Sequence, residues 1–271
     1  MATADNDRAG AAGVLETAPA PGIAEITLDR PEARNGLALA TIKFLHAAVE
    51  RAGAQPHIGA VVLSANGPVF SAGHDLKEIT AHRADADGGK AFFAEAMTAC
   101  AAMMQAIVAC PKPVIAAVQG LATAAGCQLV ATCDLAIAAE DAQFCTPGVN
   151  IGLFCSTPMV ALTRNVSAKH AMEMLLLGEM IDARRAAEWG LVNRVVPRAQ
   201  VRDAALAIAA RIAAKSSVTV AIGKRTFYDQ LELPLSEAYD LTARVMVENL
   251  MARDAEEGIG AFLEKRPPTW I

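Results

Sequence analysis

Short apolar runs separated by helical patterns constrain this chain most. Val114-Ile-Ala-Ala-Val118 is apolar throughout, as is Ile58-Gly-Ala-Val-Val-Leu63 apart from its glycine, and Asp134-Leu-Ala-Ile-Ala138 after its first residue. Continuous runs of this length suit strands buried on both faces, as parallel strands covered by helices are. Between them lie helical spacings over 37–54, 91–110 and 124–132. Strand and helix therefore alternate, and the expected class is α/β with a parallel sheet. Ile23-Ala-Glu-Ile-Thr-Leu28 alternates like a half-buried strand, and VNRVVP (192–197) reads as the last strand of the core. Beyond about residue 167 the pattern turns helical, over 168–177, 183–189, 201–214, 216–231 and 235–264. Residues 1–21 read as a loose tail, 22–197 as the core and 198–271 as a helical region suited to oligomerisation.

Two stretches, 113–133 and 142–163, contain no charged residue and are long enough to raise the question of a membrane span. Both contain proline, glycine and a carboxamide, and neither is evenly apolar, so no span is expected. The amino terminus has no apolar signal core and carries acidic residues, which leads to a cytoplasmic expectation. The formal charge is −5, and eight Phe, two Tyr and two Trp are few, so neither a basic footprint nor a stacking surface for nucleic acid is present. With 54% hydrophobic and 20% charged residues, the chain has what a compact fold needs. Six cysteines include no CxxC pair and sit mostly in apolar runs, the pattern of reduced, packed thiols.

Two strand-to-helix corners stand out, Ser71-Ala-Gly-His-Asp-Leu76 and Gly120-Leu-Ala-Thr-Ala-Ala-Gly-Cys-Gln128. Small residues permit close backbone approach, and a helix start offers unpaired N–H groups. Two such corners facing each other make a two-donor hole for a developing oxyanion. Tight packing alone accounts for the same small residues.

FSAGHDL, the long segment KPVIAAVQGLATAAGCQLVATCDLAIAAEDAQFCTPGVNIGL, and GLVNRVVP resemble the crotonase superfamily, the enoyl-CoA hydratase/isomerase family. DRPEARNGL near the start and GIGAFLEKR near the end fit as well. The resemblance implies a spiral of ββα turns and a C-terminal helical trimerisation region that gives trimers or dimers of trimers. It implies an acyl-CoA substrate in lipid or acid catabolism, with no cofactor beyond the coenzyme A of the substrate. The thioester oxygen would be held by the main-chain N–H groups of His74 and Ala125. Phosphate contacts would fall to Arg34, Lys77 and Lys265, with Ala72 among the substrate-binding positions.

Three positions depart from the family pattern. The two glutamates of a standard hydratase match Gln128 and Gly148, and an aspartate found in other members matches Ser156. A positioned acid or base contributes about 10²–10⁴-fold, so ordinary hydration is expected to be crippled. Glu78 is a candidate replacement base, Cys155 a candidate reactive thiol, and the His74 imidazole either a bystander or a participant. The alternatives are isomerisation, thioester hydrolysis, C–C cleavage, or acyl-CoA binding without catalysis. A nucleotide-dependent dehydrogenase is disfavoured because GxGxxG and GxxxxGK[ST] are both absent.

Overall fold

The computed structural model describes residues 11–270. The chain opens with β1 (Val14–Ala20) and β2 (Ile23–Leu28), an antiparallel pair joined through Gly22 at φ 77°. α1 (Leu39–Ala54) follows. Three strand pairs then come in sequence, each leading into helix. The first is β3 (Ala60–Ala65) and β4 (Val69–Ser71), followed by α2 (Leu76–His82) and α3 (Lys90–Ala109). The second is β5 (Val114–Val118) and β6 (Leu121–Thr123), followed by α4 (Ala125–Thr132). The third is β7 (Leu135–Ala139) and β8 (Gln143–Cys145), followed by α5 (Ser156–Leu162). The remaining elements are α6 (Ala168–Leu177), β9 (Ile181–Asp182), α7 (Ala183–Glu188), β10 (Arg194–Val196), α8 (Val201–Ala213), α9 (Ser217–Leu231), α10 (Leu235–Leu250) and α11 (Arg253–Glu264).

The first strand of each pair joins a six-stranded sheet ordered β1-β2-β3-β5-β7-β10, parallel from β2 onward. The second joins a small sheet ordered β4-β6-β8-β9. This is the crotonase-type ββα spiral in an α/β fold. All five residues of β5 are buried, as a continuous apolar run requires. The first charge-free stretch becomes β5–β6–α4 and is almost wholly buried, whereas the second runs from β8 to α5 and exposes Ile151, Leu153, Phe154, Met159 and Val160.

Three assignments differ from the sequence reading. Residues 14–20 are not tail but the edge strand β1, and the expected tail's residues 1–10 lie outside the described residues. Pro19 cannot donate to a ladder; the register shifts between Thr17 and Ala20, and β1 ends exposed. An edge strand with this composition lacks the apolar run that marks the interior strands. α8 belongs to the core and not to the C-terminal region, because it lies over β2, β3, β5 and β7 and buries Val201, Ala205 and Ala209 along one face. The helix expected over 235–264 breaks at Met251 and Ala252 into α10 and α11.

α9 is fastened to the sheet by one buried charge cluster. Asp134 accepts hydrogen bonds from Val114 N at 2.7 Å, Lys224 Nζ at 2.7 Å and Tyr228 Oη at 2.9 Å. Lys224 Nζ also donates to the carbonyls of Ile107 and Lys112, which uses all three of its protons. Burial, then the nearby Asp134 charge, pushes the Tyr228 hydroxyl well above its ordinary range, so it remains a donor.

The β6–α4 corner carries backbone strain. Ala124 caps α4 at φ 51°, ψ −118°, a region in which an L side chain clashes with its own backbone. The corner is nonetheless held by Ala124 N to Cys145 O and Gln128 N to Ala124 O, both at 2.9 Å.

Two stability measurements test these assignments. Removing Asp134 leaves Lys224 buried without its counter-charge, so Asp134→Ala is expected to cost about 3–5 kcal/mol in equilibrium urea unfolding. A loss below about 1 kcal/mol would show that the cluster is not an anchor. Ala124→Gly relieves about 1–3 kcal/mol of strain and loses about 0.4–1 kcal/mol through the freer unfolded chain. A rise of about 1 kcal/mol is expected in the same assay, and a fall would contradict the strain.

Candidate active site

The first corner is laced to the turn that precedes α1. Ala72 N donates to Arg34 O at 3.0 Å, Leu37 N to Gly73 O at 2.8 Å, and Asp75 N to Leu37 O at 3.3 Å. His74 thus sits opposite Leu37 in a parallel bridge whose hydrogen bonds come from its neighbours, so its own N–H turns to the other side. No described residue accepts from that N–H. Ser71 Oγ donates to Asn35 O at 2.9 Å and accepts from Gly73 N at 3.2 Å. Asn35 is buried at φ 51°; its side chain accepts from Arg30 N and donates to Asn66 O and Val69 O. Asp75 caps α2 through the amides of Lys77 and Glu78 and pairs with Arg30 at 3.5 Å.

The second corner meets the first at their glycines. Gly73 has φ 80°, and a Cβ built there would lie 2.9 Å from Thr123 O and 3.1 Å from Ala125 N. A Cβ on Gly126 would strike Ser71 O and Cβ. Only residues without side chains at both places allow this approach. Ala125 opens α4, so its N–H has no partner within the helix, and no described residue outside it accepts either. Two unpaired main-chain donors, at His74 and Ala125, thereby come from two loops in contact.

Gln128 lies one turn into α4, 4% exposed, with its Oε1 buried and without a hydrogen-bond partner. Gly148 is buried in the short 3-10 turn Pro147–Ile151. A Cβ there would be 2.9 Å from both Cys155 Sγ and Leu153 O, so the space in which a side chain at 148 would start is already filled. Thr146, fully buried beside it, has an unpartnered Oγ1. Ser156 is exposed at the start of α5, with its Oγ 3.4 Å from Phe154 O.

Glu78 is not a spare base. Its Oε2 accepts from Leu39 N at 2.9 Å and so caps α1. The six cysteines are all free and buried. Burial raises the thiols of Cys127, Cys145 and Cys155, against smaller opposing hydrogen bonds from Thr123 at Cys145 and the Gly148 main chain at Cys155, so all three stay protonated near neutral pH. His74 is half-buried with Nε2 buried and unpartnered; burial lowers its pKa below 6.5, more than the Leu37 main chain raises it. Arg34 and Lys77 are exposed at the first corner and pair with no described carboxylate. Lys265 is the exposed, left-handed C-cap of α11, whose main packing partners are α9 and α10. Sequence reasoning missed Asn35, Ser71 and Thr146. The Asn-Gly pair at 35–36 was the available signal for the first, because asparagine tolerates positive φ.

A sequence model of the enoyl-CoA hydratase/isomerase family matches residues 19–271. The chain is 48% identical over 271 residues to enoyl-CoA hydratase domain-containing protein 3, mitochondrial, of Homo sapiens, covering 97% of this chain and 88% of the relative. The crystal structure of that human protein superposes with a TM-score of 0.90 at 47% identity, covering 95% of this chain and 100% of that one. An enoyl-CoA hydratase structure from Mycobacterium smegmatis gives a TM-score of 0.90 at 45% identity, covering 95% and 98%. The human relative and its Rattus norvegicus counterpart are both named mitochondrial, which overturns the cytoplasmic expectation. That expectation rested on the amino-terminal pattern alone, which carries no structural information about location. The whole ββα spiral and its C-terminal helices are matched by these relatives, and the chain belongs to the enoyl-CoA hydratase/isomerase family.

Proposed function

We propose that the chain is an enzyme that binds an acyl-CoA thioester and stabilises negative charge on the thioester oxygen with the N–H groups of His74 and Ala125. The observation that carries this reading is that both donors are unpaired and belong to loops held together through Gly73. Preorganised donors of this kind favour the enolate over the neutral ester without reorganising. Arg34 and Lys77, exposed and free of carboxylates, are suited to the phosphates of coenzyme A, with Lys265 a further cation and Ala72 beside the thioester. Ile151, Leu153 and Phe154, exposed next to Gly148, suit an acyl chain.

Ordinary hydration is not the favoured reaction. Gln128 cannot take a proton near neutral pH, Gly148 has no side chain, and Cys155 blocks the place where one would begin. The reaction proposed is proton movement next to the carbonyl, of the isomerase type, with Gln128 orienting the thioester through its amide. Acyl-CoA binding without turnover is the second reading, favoured by the loss of both carboxylates. The chain is also proposed to self-associate as a trimer or dimer of trimers. Leu176, Met180, Leu250, Met251, Phe262 and Leu263 are all at least half exposed in the single chain, more apolar surface than a monomer normally shows.

Ala125→Pro deletes one donor in the first turn of α4, and it disfavours Ala124 at φ 51°, ψ −118° because the residue before a proline prefers extended backbone, so the variant's fold is checked alongside. The enolate of acetoacetyl-CoA, read by its absorbance on mixing, is expected to be held about 10²–10³-fold less tightly, with the far-UV circular dichroism unchanged. Equal enolate stabilisation by both proteins would refute the two-donor site.

A further inference from the structure

We infer that the imidazole of His74 is the proton carrier of this site, taking a proton from the carbon next to the thioester carbonyl through Nε2. The inference rests on the proposed acyl-CoA reading and deepens it. Among the buried side-chain polar atoms without a partner, His74 Nε2 after β4, Gln128 Oε1 in α4 and Thr146 Oγ1 after β8 belong to the three strand-to-helix corners, while Gln119 Oε1 and His170 Nδ1 lie outside them. Leaving a buried polar atom unpaired costs about 1–3 kcal/mol, and three such atoms gathered at the corners beside the two free amides suit a ligand that supplies the partners. Of the three, only the imidazole exchanges a proton near neutral pH.

The other titratable groups are committed. Glu78 is bonded to Leu39 N, Asp75 to the first turn of α2 and to Arg30, and the thiols of Cys127, Cys145 and Cys155 are held protonated by burial. Arg34 and Lys77 on the same corner are cations and cannot serve as a base. Position supports the same residue. The main-chain N–H proposed to face the oxyanion and the imidazole belong to one residue, so covalent geometry keeps the ring within several ångströms of the carbonyl oxygen and its neighbouring carbon. The step balances: the Cα–H bond breaks, its electron pair forms the enolate C=C bond, the carbonyl π pair moves to oxygen, and Nε2 becomes N–H⁺. Reversal returns a proton to the α or the γ carbon. Burial lowers the pKa of the ring, so it is neutral and ready to accept at pH 7.

Deuterium uptake tests this without assuming the natural acyl group. Butyryl-CoA is incubated with the full chain in D₂O, and label at the α carbon is read by mass spectrometry alongside calorimetric binding of the same thioester. The wild-type chain is expected to bind and to exchange. His74→Gln keeps the main-chain donor, so binding is expected to stay within about threefold while exchange falls about 10²–10⁴-fold. Exchange by His74→Gln at the wild-type rate would overturn the assignment, as would a wild-type chain that binds but never exchanges. A wild-type chain that binds no thioester would remove the acyl-CoA reading itself, and the role of His74 with it. Should the glutamine variant fail to fold, the wild-type pH profile decides. A base with its pKa below 6.5 gives exchange that is level above that pH and falls below it. A rate that keeps climbing to pH 9 would point to a thiol and overturn the inference.

Discussion

The contact between Gly73 and the start of α4 is the constraint on which the site depends. A single added carbon at 73 would meet Thr123 O and Ala125 N at about van der Waals limits or closer. A single added carbon at 126 would strike Ser71. The two loops therefore approach as backbone against backbone, and their remaining N–H groups have nowhere internal to bond. The lacing of 72–75 onto 34–37 explains why one of those groups is at His74: its neighbours consume the hydrogen bonds on the Leu37 side. Ser71 and Asn35 form the support behind it, each bonded on two sides.

The two corners offer free main-chain donors, and Gln128 and Gly148 are without a carboxylate. Gly148 has little room for a side chain, since Cys155 Sγ stands 2.9 Å from where a Cβ would be. The neighbourhood is packed around a small residue, and three protonated thiols occupy the interior beside α4 and β8. Such a wall is apolar and almost free of titratable charge. It strengthens any dipole aimed at the thioester oxygen, because fewer mobile charges and waters compete with it. Strain at Ala124, where the helix begins, fits a corner whose shape is set by its tertiary contacts and not by local preference.

Much of this was legible in the amino-acid sequence, for physical reasons. β5 is five buried apolar residues in a row and reads as a strand on its own. The small-residue corners announce a close backbone approach, and the register from Gln128 to Gly148 exposes the missing glutamates. What stayed hidden depends on tertiary context. β1 is an edge strand carrying Pro19, so it lacks the apolar signal of the interior strands. The ββα repetition was expected from the family resemblance and not from periodicity, because its second strands are only three residues each. α8 looks like its C-terminal neighbours in composition, and only its alanine face against the sheet assigns it to the core. The bond from Leu39 N to Glu78 at the start of α1 follows from a distance that no spacing rule contains.

The central claim is that the amides of His74 and Ala125 converge on one oxygen. A crystal structure of the chain with butyryl-CoA bound measures this directly. The account predicts the thioester oxygen within about 2.7–3.1 Å of both nitrogens, with the coenzyme A phosphates on the Arg34 and Lys77 side. A thioester oxygen bonded to only one of them, or seated elsewhere on the chain, would contradict it.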